Sequence, residues 1–118
     1  MEQKNCKTEV DSLTKKIIYV TVDKEATNIG GQVALFQQFG KITLDSIPND
    51  FDTRFIVAFI VDTTGQIFGE RIIKDKVGDV GQKMISIAKS FKWTPAECDR
   101  RKVPMLVKLS LQMCLQEN

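Results

Sequence analysis

The most regular pattern of apolar and polar positions lies near the C-terminus and has a period of two. One alternating set is apolar throughout: Val103, Met105, Val107, Leu109, Leu111, Met113 and Leu115. Most residues between them are polar, so the pattern predicts a long β-strand with one buried face and one solvent-exposed face. Pro104 cannot donate a hydrogen bond to a sheet, which places it at a strand start or on an edge. A long strand with a polar outer face at the end of the chain predicts an edge of the sheet.

A β-hairpin is predicted over residues 54–74. The run RFIVAFIV (54–61) is apolar at both alternating sets of positions, as in a central strand that is covered on part of each face. In the turn DTTG (62–65), Asp62 can accept hydrogen bonds from backbone amides and Gly65 can adopt a positive φ. QIFGERIIK (66–74) then returns antiparallel. A further run of β-branched residues, KIIYVTV (16–22), predicts another strand.

Two short helices are predicted between these strands. Residues 31–40 place Val33, Leu35, Phe36 and Phe39 at helical spacing, and Gly40 stands where a helix would end. Residues 80–91, preceded by the N-cap candidate Asp79, carry the apolar stripe Val80, Met84, Ile87, Ala88 and Phe91. We therefore predict an α+β fold: a small antiparallel sheet of three to four strands with two helices on one face. Residues 1–15 are polar and predict a flexible leader before a single domain over residues 16–118.

Composition narrows the classes of function. The 118 residues carry a net charge of +2, and the densest basic run, Arg100-Arg101-Lys102, is short and lies beside acidic residues. Nucleic-acid binding, which needs a broad basic face, is therefore not expected. No apolar stretch approaches the ~20 residues that a membrane span requires. The polar start is unlike a signal peptide, which leaves two interpretations: a cytoplasmic protein, or the mature part of an exported one.

The chain has three cysteines, Cys6, Cys98 and Cys114, and no histidine. Without histidine, most zinc sites and nearly all acid–base triads lose their usual member, so we expect no metal, no cofactor and no catalytic residue. Cys98 follows a helix C-terminus, where the dipole disfavours a thiolate nucleophile. Cys6 on its leader could reach Cys98, but an odd cysteine count argues against a complete disulfide framework, and the sequence favours free thiols.

Two motifs together resemble the C-terminal domain of the TonB family. The first, RFIVAFIVDTTGQIFGERIIK, matches at Val57, Phe59, Val61, Asp62, Gly65 and Ile67. The second, FKWTPAECDRRKVPMLVKLSLQM, matches at Lys92, Trp93, Pro95, Lys102, Val103 and Val107. Weaker matches are NIGGQVAL, which precedes and enters the first helix, and Pro48 in SIPNDF. Asp62, Gly65, Trp93 and Pro95 also have structural roles, since Trp93 buries a large ring and Pro95 prevents the helix from continuing.

The resemblance implies a periplasmic binding module that takes part in transport-related energy transduction. Its partner would be an extended segment, such as one from an outer-membrane receptor, that adds as a strand to the edge formed by the last strand. The residues expected to bind the partner are Leu106, Val107, Lys108, Leu109, Ser110, Leu111, Gln112 and Met113.

The chain departs from a complete TonB-type transducer because it has neither an N-terminal membrane helix nor a Pro-rich linker. An excised domain and a stand-alone exported relative both stay open. A third interpretation keeps the edge strand but changes its partner: a self-associating structural module that forms a homodimer through that strand.

Overall fold

The computed structural model describes residues 6–42, 54–76 and 78–112. The first part contains β1 (Lys7–Val10), β2 (Ile17–Thr21), β3 (Thr27–Asn28) and α1 (Gly31–Phe39). The second contains β4 (Arg54–Val61) and β5 (Ile67–Lys74). The third contains α2 (Val80–Ser90), β6 (Trp93–Thr94), β7 (Ala96–Cys98), β8 (Arg101–Val103) and β9 (Met105–Gln112). Pro48 and Met113, which the sequence analysis singled out, lie outside the described residues, as does Cys114.

Five strands form one mixed sheet in the order β1-β2-β9-β4-β5. The predicted hairpin is confirmed, since β4 pairs antiparallel with β5, and the run of apolar residues in β4 is explained by its position between β5 and β9. The α+β class is confirmed. The predicted size and strand directions are wrong, because the sheet has five strands and β2 runs parallel to β9. Two small two-stranded sheets, β3-β6 and β7-β8, lie outside it.

The helices cover one face of this sheet. The alternating set Phe55, Val57, Phe59 and Val61 of β4 is fully buried and shares one core cluster with buried residues of both helices. Met105 and Leu109 of β9 belong to the same cluster, which confirms the predicted phase of the last strand. Of the predicted α1 stripe, Leu35 and Phe39 are buried, whereas Val33 is exposed.

The opposite face is covered in part by the turn between β1 and β2. Ala58 and Ile60 are buried there, although they lie outside the main core cluster. The Asp11 carboxylate accepts two hydrogen bonds from the Arg71 guanidinium of β5, at 2.5 and 2.8 Å. This contact holds residues 11–16 against β5. Thr14 packs so closely on Gly69 of β5 that a Cβ added at Gly69 would lie 2.9 Å from the Thr14 methyl group.

Within the predicted leader, residues 1–15, the structure has the strand β1, which the sequence did not predict. β1 pairs antiparallel with β2, and the disulfide Cys6–Cys98 joins the residue before β1 to the end of β7. All four residues of β1 are exposed, so its sequence carries no burial pattern that could predict a strand. The strand is held by long-range contacts, which a local pattern cannot show.

Candidate functional site

The last strand has a different neighbour on each flank. On one flank, β4 pairs with it over all eight residues, from Met105 opposite Val61 to Gln112 opposite Arg54. On the other flank, β2 pairs with it at a single position, Tyr19 opposite Met105. The predicted outermost position of this strand is therefore wrong, because β2 covers its beginning. Within the described residues, no strand pairs with residues 107–111 on the flank opposite β4.

The chain after β2 turns away from β9 and pairs with β7 instead. The amides of Asp23 and Lys24 both donate to the Glu97 carbonyl at 3.1 Å, and the Glu97 amide donates to the Lys24 carbonyl at 2.8 Å. Residues 23 and 24 are thus tied to the small β7-β8 sheet. Because the two strands diverge, β2 does not continue along the flank of β9 beyond the beginning of that strand.

A groove of about 290 Å³ lies in the space that this divergence leaves. Its lining includes the buried side chains of Leu35, Trp93 and Leu109. Exposed polar side chains also line it, among them Glu25 of the segment before β3, Gln32 of α1 and Lys108 of β9. Near the beginning of β9 the Ala26 amide donates to the Met105 sulfur at 3.5 Å. The free flank is therefore bordered by an amphipathic cleft.

The direction of the main-chain groups along β9 follows from one hydrogen bond. The Tyr19 amide donates to the Pro104 carbonyl oxygen at 2.9 Å, so Pro104 directs its carbonyl to the β2 flank. Successive residues of a strand direct their amide and carbonyl groups to opposite flanks, and the register with β4 is continuous over β9. Lys108 and Ser110 therefore direct their amides away from β4, while Val107 and Leu109 direct theirs toward it.

Gly65, Trp93 and Pro95 lie together in a second cluster. There the hairpin turn meets the segment that follows α2. The Trp93 indole donates to the Ala88 carbonyl at 2.8 Å, and its ring packs edge-to-face on Phe59 with centroids 5.3 Å apart. Gly65 has φ +88°, and a Cβ at this position would collide with the Trp93 carbonyl oxygen and touch Pro95. The hairpin turn is thus packed directly on the Trp93–Pro95 corner.

Asp62 organises that turn. Its carboxylate accepts hydrogen bonds from the Thr64 amide at 2.8 Å, the Thr64 hydroxyl at 2.6 Å and the Gln66 amide at 2.9 Å. Partial burial raises the pKa of the Asp62 carboxyl, but these hydrogen bonds outweigh the burial and lower the pKa overall. The Asp62 carboxylate thus stabilises the turn, as the sequence predicted.

The prediction of free thiols at Cys6 and Cys98 is wrong, because the two form a disulfide across 92 residues of chain. The even pairing was hidden by the third cysteine, Cys114. Sequence reasoning also missed Glu25, Gln32 and Tyr19. Their positions around the flank of β9 depend on where β2 leaves the sheet, and no local motif reports that point.

Within the described residues, no helix has the length and apolar character that crossing a membrane would require. Comparison of the chain with models of protein families, with curated proteins and with solved structures yields no match.

Proposed function

We propose that this domain binds an extended segment of a partner protein by strand addition to β9, on the flank opposite β4. One observation carries the proposal: β9 is paired over its full length on the β4 flank, whereas on the other flank the described residues pair with it only at Met105. A sheet flank of this kind offers amide and carbonyl groups to an incoming strand. The region concerned is the one that the sequence analysis named, residues 106–113, of which 106–112 are described.

Affinity for such a guest comes from main-chain hydrogen bonds, with the amides of Lys108 and Ser110 as donors. The guest's side chains alternate, so one set would face the groove beside β9 and the other would face solvent. The buried side chains of Leu35, Trp93 and Leu109 favour apolar guest residues in the groove. Glu25 and Lys108 bring charges of both signs near the cleft, which favours polar guest residues outside it.

We propose a cell-envelope location and a partner such as a segment of an outer-membrane receptor. The resemblance to the C-terminal domain of TonB supports both. The disulfide supports the location, since such bonds persist mainly in oxidising compartments. A binding role is also favoured over a catalytic one. Cys98, which the sequence analysis considered as a nucleophile, is held in that disulfide.

The test uses matched proline and threonine variants at exposed positions of β9. Lys108→Pro and Ser110→Pro each remove an amide that points away from β4, and so leave the β4 ladder its donors. Lys108→Thr and Ser110→Thr change the same side chains but keep the amides. Linear peptides selected from a phage-displayed library against the oxidised protein serve as probes, and binding is measured by calorimetry.

We expect each proline variant to lose about tenfold in affinity, since removing one amide leaves a carbonyl of the guest unpaired, which costs about 1–3 kcal/mol. The threonine variants should bind like the parent. Circular dichroism checks that all four variants are folded. Equal binding by folded proline variants would refute the proposal. Sedimentation of the parent tests the alternative: a dimer that no selected peptide dissociates would support a self-associating module instead.

A further inference from the structure

Three groups with metal-binding chemistry come together where the N-terminal strand meets the β7-β8 sheet. The sulfur atoms of Cys6 and Cys98 and a carboxylate oxygen of Asp23 all lie within 4.8 Å of one another. Cys98 is buried, Cys6 is half-buried and Asp23 is exposed. The Asp23 side chain takes no part in the disulfide or in the proposed binding strand.

The backbone holds each of the three residues in place. Cys98 ends β7, and Asp23 is tied to the same strand because its amide donates to the Glu97 carbonyl at 3.1 Å. The Asp23 carboxylate accepts a hydrogen bond from the Asp99 amide at 2.7 Å, which orients its oxygens. Cys6 directly precedes β1, which is paired with β2. Metal sites use hydrogen bonds of this kind to orient carboxylate ligands.

We propose that the reduced protein binds one Zn²⁺ through Cys6, Cys98 and Asp23, with water as the fourth ligand. Two thiolates and a carboxylate are ligands that zinc accepts, and thiolates exclude Mg²⁺ and Ca²⁺ by their softness. The lack of histidine in the chain does not prevent such a site. This inference does not depend on the proposed binding of a strand to β9.

The bound metal and the disulfide exclude each other. Reduction by a dithiol transfers two electrons and two protons to the Cys6–Cys98 bond, which leaves two protein thiols and one disulfide on the reductant. Zn²⁺ then displaces the two thiol protons and is held by two Zn–S bonds. Oxidation of the zinc form runs in the opposite sense and releases the ion. The chain would therefore carry zinc before it is oxidised and a disulfide afterwards.

The geometry allows this exchange with small movements. Tetrahedral zinc with Zn–S bonds of about 2.3 Å requires sulfur atoms about 3.8 Å apart and a carboxylate oxygen about 3.6 Å from each. The Cα atoms of Cys6 and Cys98 are 6.3 Å apart, near the upper end of the range for disulfides. Rotation about the side-chain bonds of the two Cys residues changes the distance between their sulfur atoms while the backbone stays in place.

The test is a metal titration in a Cys114→Ser background, which removes the third thiol. The protein is reduced with a phosphine under nitrogen and titrated with Co²⁺, whose sulfur-to-cobalt charge-transfer absorption reports thiolate ligation, and Zn²⁺ is then added as the competitor. Asp23→Asn removes the carboxylate ligand, and Cys6→Ser removes one thiolate. Asp79→Asn, which neutralises an exposed carboxylate at the start of α2, is the matched control for charge.

We expect one equivalent of metal in the reduced parent and in Asp79→Asn, and none in the oxidised parent. Asp23→Asn should bind at least about tenfold more weakly, since even loss of a supporting group around a metal costs that much. Asp23 is exposed, so this variant is expected to fold, and circular dichroism checks it. Unchanged affinity of folded Asp23→Asn, or failure of the reduced parent to bind one equivalent, would overturn the proposal.

Discussion

Replacement of Gly65 by alanine should destabilise the domain by two separable effects. The first is conformational, because Gly65 has φ +88°, where an L-residue with a Cβ is strained. The second is steric, because the added Cβ would meet the carbonyl oxygen of Trp93, a main-chain atom, and would lie 3.5 Å from the carbonyl carbon. Trp93 resists displacement, since its indole donates to Ala88 and its ring packs on Phe59.

The chain supplies a control that isolates the first effect. Gly31 has φ +85°, almost the same as Gly65, and a Cβ added there has no heavy atom within 4 Å. Gly31→Ala should therefore cost only the conformational penalty of about 1–2 kcal/mol. Gly65→Ala adds an overpacking penalty of about 1–3 kcal/mol, so its total should be about 2–5 kcal/mol.

Urea unfolding of the oxidised protein, followed by the fluorescence of the single tryptophan, measures both variants. The free energy of unfolding is extrapolated to water and compared only where the dependence on urea is unchanged from the parent. If Gly65→Ala costs no more than Gly31→Ala, the hairpin turn does not press on the Trp93 corner, and the account of how the two motifs pack would be refuted.

Two further predictions concern other parts of the fold. The Arg71 guanidinium, through its hydrogen bonds, holds the pKa of the Asp11 carboxyl far below its usual value, although burial opposes this effect. As pH falls, the unfolded chain binds the proton first, so the contribution of the pair is complete above about pH 5 and declines below about pH 4. Asp11→Asn should therefore lower the free energy of unfolding by about 2–3 kcal/mol at pH 7, which is below the usual loss for a buried pair because Arg71 is partly exposed. The loss should be clearly smaller at pH 3, and an equal loss at both pH values would contradict this. In the turn between β7 and β8, Asp99 and Arg100 both have positive φ, at 57° and 65°. Arg100→Gly should raise the free energy of unfolding by about 1 kcal/mol, whereas Arg101→Gly, in β8, should lower it; a loss of stability in both variants would show that the turn does not strain Arg100.

The sequence predicted well the elements whose side chains alternate between core and solvent. β9 follows the expected phase because it has to bury Leu109 on the helix-covered face, and a shift of one residue would expose that side chain. The second helix is confirmed for the same reason, with Val80, Met84 and Ala88 on its buried stripe. In these segments the burial of apolar side chains determines the structure, and the spacing of those side chains can be read from the local sequence.

Prediction failed where contacts between distant residues decide the structure. β1 is exposed along its length, and its place depends on the Asp11–Arg71 ion pair and the Cys6–Cys98 bond, which join residues 60 and 92 positions apart. The predicted edge position of β9 was wrong because Tyr19 of β2 pairs with Met105, and no local sequence pattern indicates this pairing. The groove beside β9 has the same origin, since it exists only because residues 23 and 24 leave the sheet for Glu97.

The proposed binding mode requires that β9 has main-chain donors on its second flank that no strand in the described part of the chain uses. Native-state amide hydrogen exchange, resolved by NMR on the free monomer, tests it residue by residue. We predict slow exchange at Val107 and Leu109, whose amides face β4, and fast exchange at Lys108 and Ser110, which slows when a selected peptide is bound. Equally slow exchange at all four amides in the free monomer would contradict the claim.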